Sequence, residues 1–168
     1  AGVSLGFRSK NNVIEGNTLI NNSDGVKAIN LDQWSSGSNV VRGNEIHNNT
    51  DGVDVFATTN TLVVESNDLS DNGNGIHIRP PSMCYPDGQE GAELVPVHGN
   101  DLSDNEGYGI FNEGPDTLNA TGNYWGASDG PSSADDSDAP FSDPATGTLA
   151  NGTGSAISED PRDPGQSN

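Results

Sequence analysis

The sequence predicts an all-β fold, a parallel β-helix (solenoid) of about five coils with a C-terminal cap, and three observations carry that prediction. First, an asparagine returns in one setting, at Asn17, Asn44, Asn67, Asn100 and Asn123. After the first four come a polar residue, Leu or Ile, two more residues and a second asparagine, as in Asn17-Thr-Leu19-Ile-Asn-Asn22 and Asn67-Asp-Leu69-Ser-Asp-Asn72. Second, each phrase runs into a glycine and a short apolar alternation: Gly25-Val26, Gly52-Val53-Asp54-Val55, Gly75-Ile76-His77-Ile78 and, one residue late, Gly109-Ile110. Third, 22 Gly with 21 Asn suits many tight turns, while 30% apolar and 5% aromatic residues are thin for one spherical core. A fixed period of this kind is a fold signal before it is a chemical one.

The glycines are spaced 23 (Gly2 to Gly25), 27 (to Gly52), 23 (to Gly75) and 34 (to Gly109) residues apart. A base unit of 23 with insertions fits one coil of short strands separated by turns, so aligned coils put each position into a column about 4.8 Å apart. Three columns read as internal: Ile14, Val41, Val64, Val97, Ala120; Leu19, Ile46, Leu69, Leu102, Trp125; and Val3, Val26, Val53, Ile76, Ile110. Asparagines in register are expected to bond the coils above and below through their side-chain amides and so satisfy the polar groups of buried turns.

The extra residues of coils two and four follow the same glycine-led strand, around Asn30 to Ser38 with Trp34 and around Arg79 to Glu93 with Met83, Cys84 and Tyr85. Both are expected at one corner, on the side where repeat proteins often bind. Coils are expected over residues 1–126, with Gly2-Val3-Ser4-Leu5 already a glycine-led strand and so a start inside a longer protein. The acidic, Pro- and Gly-rich remainder reads as a cap over 127–160, covering apolar residues and strand edges, and a disordered tail over 161–168.

A net charge of −19, with only two lysines, argues against nucleic acid, whose phosphates need a positive surface. Such a surface is typical of proteins in high salt, where self-repulsion is screened. One cysteine gives no internal disulfide, and no apolar run is long enough to span a membrane. Four glycosylation triplets, beginning at Asn21, Asn48, Asn119 and Asn151, lean toward the cell exterior.

The phrase Asn-x-Ile/Leu-x-x-Asn-x-x-Gly-Ile, with the closing segment Gly122-Asn-Tyr-Trp-Gly-Ala-Ser-Asp-Gly-Pro131, resembles the right-handed parallel β-helix families of the pectin-lyase-like type. In particular it resembles the short-coil repeats of archaeal and bacterial surface proteins and of the NosD-like periplasmic family. The resemblance covers Gly2 to about Gly130 and implies a right-handed helix, an extracellular surface protein of a halophilic archaeon, and a carbohydrate as ligand. It does not select an activity, because lyases, hydrolases, epimerases, binding proteins and tailspikes share the fold. The NosD-like branch implies copper maturation, but His47, His77 and His98 fall in different columns and only Met83 and Cys84 are adjacent, a poor set of soft ligands.

The resemblance also points to the outer face of the glycine-led strands as the place for a sugar cleft. Two columns face outward there: Ser4, Lys27, Asp54, His77, Phe111, and Gly6, Ile29, Phe56, Arg79, Glu113. Lys27, Trp34, Asp54, Phe56, His77, Tyr85 and Phe111 are the candidate ligand contacts, since rings on a polar face stack on sugars. Asp54, His77, Arg79 and Glu113 are the candidates for catalysis: a carboxylate pair for a hydrolase, or a base beside a cation for a lyase. The bland alternative is that Lys27, Asp54 and His77 form surface ion pairs, a device repeated in Glu15, Arg42, Glu65 and His98. No cofactor is expected; if a metal binds, calcium at Asp68, Asp71, Asp101 and Asp104 is the candidate, because paired columns crowd four carboxylates at one edge. The run Asp135-Asp136-Ser-Asp138 is a weaker one.

Three functions follow. The leading one is a non-enzymatic extracellular module presenting a sheet face to a polysaccharide or envelope glycan. The alternatives are a polysaccharide lyase or glycoside hydrolase on the same face, and a structural spacer or fibre module that self-associates through its N-terminal coil, near Ala1 to Lys10.

Overall fold

The computed structural model describes residues 1–6, 9–29, 38–56, 62–79, 95–113, 118–133 and 152–159. Every strand pairing among them is parallel, and no helix occurs. The glycine-led strands β1 (Val3–Leu5), β4 (Asp24–Ile29), β7 (Asp51–Phe56), β9 (Asn74–Ile78) and β11 (Tyr108–Asn112) lie side by side in one sheet. These five strands delimit four full turns of the solenoid, the last coil leading into the C-terminal segment.

A second sheet stacks β2 (Val13–Glu15), β5 (Asn39–Arg42), β8 (Leu62–Glu65) and β10 (Val97–His98). The third pairs β3 (Thr18–Ile20) with β6 (Glu45–His47) and continues as single bridges from Glu45 to Asp68, Asp101 and Tyr124. The register is the one the columns predict: Val26 pairs with Val53, Val53 with Ile76, Ile14 with Val41 and Leu19 with Ile46. Their side chains fill the interior, with Val26, Val41, Ile46, Val53, Leu69 and Ile76 fully buried.

The asparagines turn the corners. Asn44 Oδ1 accepts from both the backbone N–H and the side-chain amide of Asn17, and Asn67 Oδ1 does the same for Asn44, at 2.9–3.1 Å. From the second rung on, Nδ2 in turn donates to a carbonyl of the preceding coil, as Asn44 does to Ile14 and Asn67 to Val41. This ladder runs to Asn123, and a second links Asn22, Asn49, Asn72 and Asn105. The residue before each rung of the first ladder is left-handed, with φ of 66° at Gly16, 59° at Gly43 and 68° at Gly99, a conformation that favours glycine. Ser66 adopts it at 55°, paying a side-chain cost the glycines avoid.

At the C-terminal end β13 (Gly154–Glu159) pairs with β11, placing Ile157 beside Ile110, and β12 (Pro131–Ser133) pairs with β13. The segment after Trp125 therefore extends the first sheet by two strands. The two insertions, with Trp34, Met83, Cys84 and Tyr85, the acidic run at 135–138 and the tail at 161–168 lie outside the described residues.

Candidate site on the seven-stranded sheet

The outer face of the seven-stranded sheet gathers charge at its centre. Lys27, Asp54, His77 and Phe111 are consecutive partners on β4, β7, β9 and β11, so a column of side chains runs across four coils. Surface ion pairs were one expectation here, yet Asp54 is 0% exposed and His77 8%. The cations that cover Asp54 explain the difference. Arg79 Nε lies 2.6 Å from Asp54 Oδ1, and Lys27 Nζ lies 2.8 Å from Oδ2, a close ion pair without the direction of a hydrogen bond.

Asp51 completes the cluster. Its Oδ1 accepts from Asn74 Nδ2 at 2.8 Å; its Oδ2 meets His77 Nδ1 at 3.2 Å and Arg79 Nη2 at 3.3 Å. On its other edge, His77 Nε2 lies 2.6 Å from Glu113 Oε2. Both ring nitrogens thus face carboxylates, which only accept, so satisfying both partners requires a doubly protonated imidazolium. Burial alone would push the His77 value down, but the hydrogen bonds to Asp51 and Glu113 outweigh it and the net shift is upward. Asp51 mirrors this: burial pushes its carboxyl up, and the bonds from His77 and Asn74 bring it below its ordinary value. Lys27 and Arg79 are both held charged more firmly, chiefly by the close Asp54 carboxylate.

An aromatic platform adjoins the charges. Phe111 lies 5.0 Å from the His77 ring, and Tyr108 stacks on Phe111 at 4.8 Å with 17° between the planes. Phe56 is half-buried on the same face, in the column of Ile29.

Asp54, His77, Arg79, Glu113, Lys27 and Phe111 are thus brought together as the sequence suggests, while Trp34 and Tyr85 lie outside the described residues. Asp51, Asp24, Asn74 and Tyr108 were not singled out. Strict alternation from Val53 points Asp51 inward, but its carboxylate meets His77, Asn74 and Arg79 on the outer face, so the alternation does not carry back across Gly52. The available signal was the repeated Asp-Gly-Val of Asp24 to Val26 and Asp51 to Val53, a corner residue in register with its neighbour.

Ligand atoms of Asp51, Asp54 and His77 lie within 4.8 Å of one another, a spacing compatible with a metal. Arg79 spans Asp54 and Asp51, however, so a guanidinium already fills the cation position between them. The expected calcium set is arranged differently: the structure does not assemble Asp68, Asp71, Asp101 and Asp104 into such a group. Asp68 and Asp101 are bridge partners, but each turns one oxygen back to Ser70 or Ser103 of its own turn, while Asp71 and Asp104 are exposed.

Asp68, Ser70 and His47 have the composition of a hydrolytic triad without its wiring. His47 Nδ1 lies 3.0 Å from the Ser70 carbonyl and 3.3 Å from its hydroxyl, and His47 Nε2 lies 3.6 Å from Asp68 Oδ2, but the hydroxyl donates to Asp68 Oδ1 at 2.7 Å, so its proton goes to the carboxylate and the acid does not orient the imidazole as a triad requires. The column of Glu15, Arg42, Glu65 and His98 holds ion pairs at 3.2 and 3.5 Å on the second sheet.

No curated protein and no solved structure matches the chain. Residues 1–83 match the family model described as a right handed beta helix region, and the stacked parallel sheets and asparagine ladders give the chain the fold of a right-handed parallel β-helix.

Proposed function

We propose that the chain is an extracellular β-helix module that binds a glycan on the outer face of its seven-stranded sheet. The observation that carries this reading is the departure from repetition at His77: an imidazole clamped between Asp51 and Glu113, with the Phe111–Tyr108 stack beside it. Buried charge is a poor way to stabilise a coil that apolar or asparagine residues could hold, so its concentration at one place on one face favours a functional reason. Carboxylates and cations supply hydrogen bonds to sugar hydroxyls, and rings supply a platform for the C–H face of a pyranose. The −19 charge and scarcity of lysine support an exterior, high-salt setting. The test is retention on a series of glycan affinity gels in high salt. Phe111→Ala, Tyr108→Ala and Trp34→Ala are expected to weaken retention while the circular dichroism spectrum is unchanged; no retention on any gel counts against the reading.

A second reading is favoured by one observation, the 2.6 Å contact of His77 Nε2 with Glu113. A proton carrier beside Arg79, its imidazole side chain 10% exposed, is the equipment of a lyase or another acid–base reaction on a sugar. A two-carboxylate hydrolase fits less well, because the imidazole fills the space between Asp51 and Glu113 where the scissile bond would lie. Asp54 is also saturated by Lys27 and Arg79. Product formation from any polysaccharide, lost in His77→Ala, would select this reading over simple binding.

A further inference from the structure

We infer that the ligand of this face is an uncharged glycan and that polyuronates and sulfated glycans are excluded from it, a step that rests on the proposed glycan-binding role. Among the described residues, the charges of the site are the carboxylates of Asp24, Asp51, Asp54 and Glu113 and the cations Lys27, Arg79 and His77. Four carboxylates against three cations leave a net charge of −1 with His77 protonated, and −2 with it neutral.

Every one of the cations is already committed twice. Lys27 meets Asp54 at 2.8 Å and Asp24 at 3.4 Å; Arg79 meets Asp54 at 2.6 Å and Asp51 at 3.3 Å; His77 meets Asp51 at 3.2 Å and Glu113 at 2.6 Å. An anionic sugar could reach the outer edges of Lys27 and Arg79, but it would find their charge already balanced by the buried Asp51 and Asp54 and would add a further negative charge to a site that carries an excess of one. It would also approach a chain whose charge is −19, against the long-range field.

A neutral sugar meets no such barrier. Its hydroxyls can donate to Glu113, whose side chain is 18% exposed, and accept from the outer edges of Lys27 and Arg79, 31% and 37% exposed, without breaking a pair. Its ring can pack its C–H face on the Tyr108–Phe111 pair, whose electron-rich faces offer nothing to an anion. The balance of charge within the site thus sets the class of ligand, and Glu113, the outermost carboxylate of the chain of pairs, is the residue that keeps the balance negative.

The experiment compares the full chain on polygalacturonate, its fully methyl-esterified form, a sulfated galactan and a set of neutral galactans, mannans and glucans, each at low and high salt. Retention is expected on at least one neutral glycan, unchanged by salt, with polygalacturonate and the sulfated gel retaining at least about tenfold less. Glu113→Gln, which removes one negative charge from the site, is expected to gain retention on polygalacturonate at low salt. Tighter binding of the wild type to an acidic glycan than to every neutral one overturns the inference and leaves the glycan-binding role standing. An acidic gel that retains Glu113→Gln no better than the wild type also overturns it. Absence of retention on all gels removes the glycan-binding role itself.

Discussion

The molecule stacks polar side chains across its coils in two ways, and they differ in what they repeat. In the ladder of Asn44, Asn67 and Asn100 the same neutral residue recurs, each amide oxygen accepting from the preceding coil while its Nδ2 donates to a carbonyl of that coil and to the amide oxygen of the next rung. In the column of Lys27, Asp54 and His77 the sign alternates, and each member is satisfied only by groups of particular neighbours, Asp24, Asp51, Arg79 and Glu113. A ladder of identical amides can be lengthened by any number of coils, whereas a charge column closes on itself after three or four. The first device is suited to holding register, the second to making one place on the surface unlike the rest.

The largest expected effect lies in the ladder. Asn67→Leu removes the acceptor for the buried Asn44 amide and the donor to Val41 O, and a leucine offers nothing in exchange. Unfolding should become easier by about 3–5 kcal/mol, read as a shift in the urea midpoint. Asn17→Ala, at the exposed first rung, should cost about 1 kcal/mol or less, since it removes only the Nδ2 donor and the backbone N–H still donates to Asn44 Oδ1. Equal costs at the two rungs would break the idea that burial makes the ladder strong.

Asp54→Ala comes next. It strands Lys27 and Arg79, but both side chains reach water and can be rehydrated, so the cost should be about 1–3 kcal/mol rather than the larger penalty of a sealed pair. Its circular dichroism spectrum should stay native. A loss as large as that of Asn67→Leu would mean that the charge column, too, holds the coils in register.

The pH response separates the two devices further. His77 is more basic in the folded chain, because its bonds to Asp51 and Glu113 outweigh burial. Its contribution to stability is therefore fully present below the ordinary histidine value of 6.5 and is lost as pH rises through the higher folded value. Asp51 has the opposite sign: its contribution is present above 3.8 and lost as pH falls through its lowered folded value. Urea midpoints measured from about pH 4 to about pH 9 should form a plateau with a fall on the alkaline side, and His77→Gln should flatten that fall. The asparagine ladder carries no charge and should contribute nothing to the slope.

The same contrast explains what could be read before any coordinates. Asn17, Asn44, Asn67, Asn100 and Asn123 reveal the coils because a ladder demands one residue type at one place in every repeat. The register of Val26, Val53 and Ile76 followed from it, and with it the outward column of Lys27, Asp54, His77 and Phe111. Asp51 was not legible, because the two-residue alternation that holds from Val53 onward does not carry back across Gly52. Nor was the burial of Asp54, which depends on where Lys27 and Arg79 end; the sequence gives a long side chain's column, not the position of its tip. Tyr108 was missed for a related reason: coil four reaches its glycine one residue late, and the shift moves the ring onto Phe111.

The smallest expected effect is on the second sheet, where Arg42 and Glu15 pair at 3.2 Å with side chains 45% and 55% exposed. The partners occupy adjacent coils, as Lys27 and Asp54 do, and the distance is similar, so contact geometry alone would rank the two pairs together. Exposure ranks them apart. Water already solvates both ends of the outer pair, and salt at about 0.15 M screens what attraction remains. Arg42→Ala should leave the urea midpoint unmoved within error at that salt, and the double variant with Glu15→Ala should match it. A shift comparable to that of Asp54→Ala would show that the burial of the central column is incidental, and that any alternating column on this solenoid stabilises it equally.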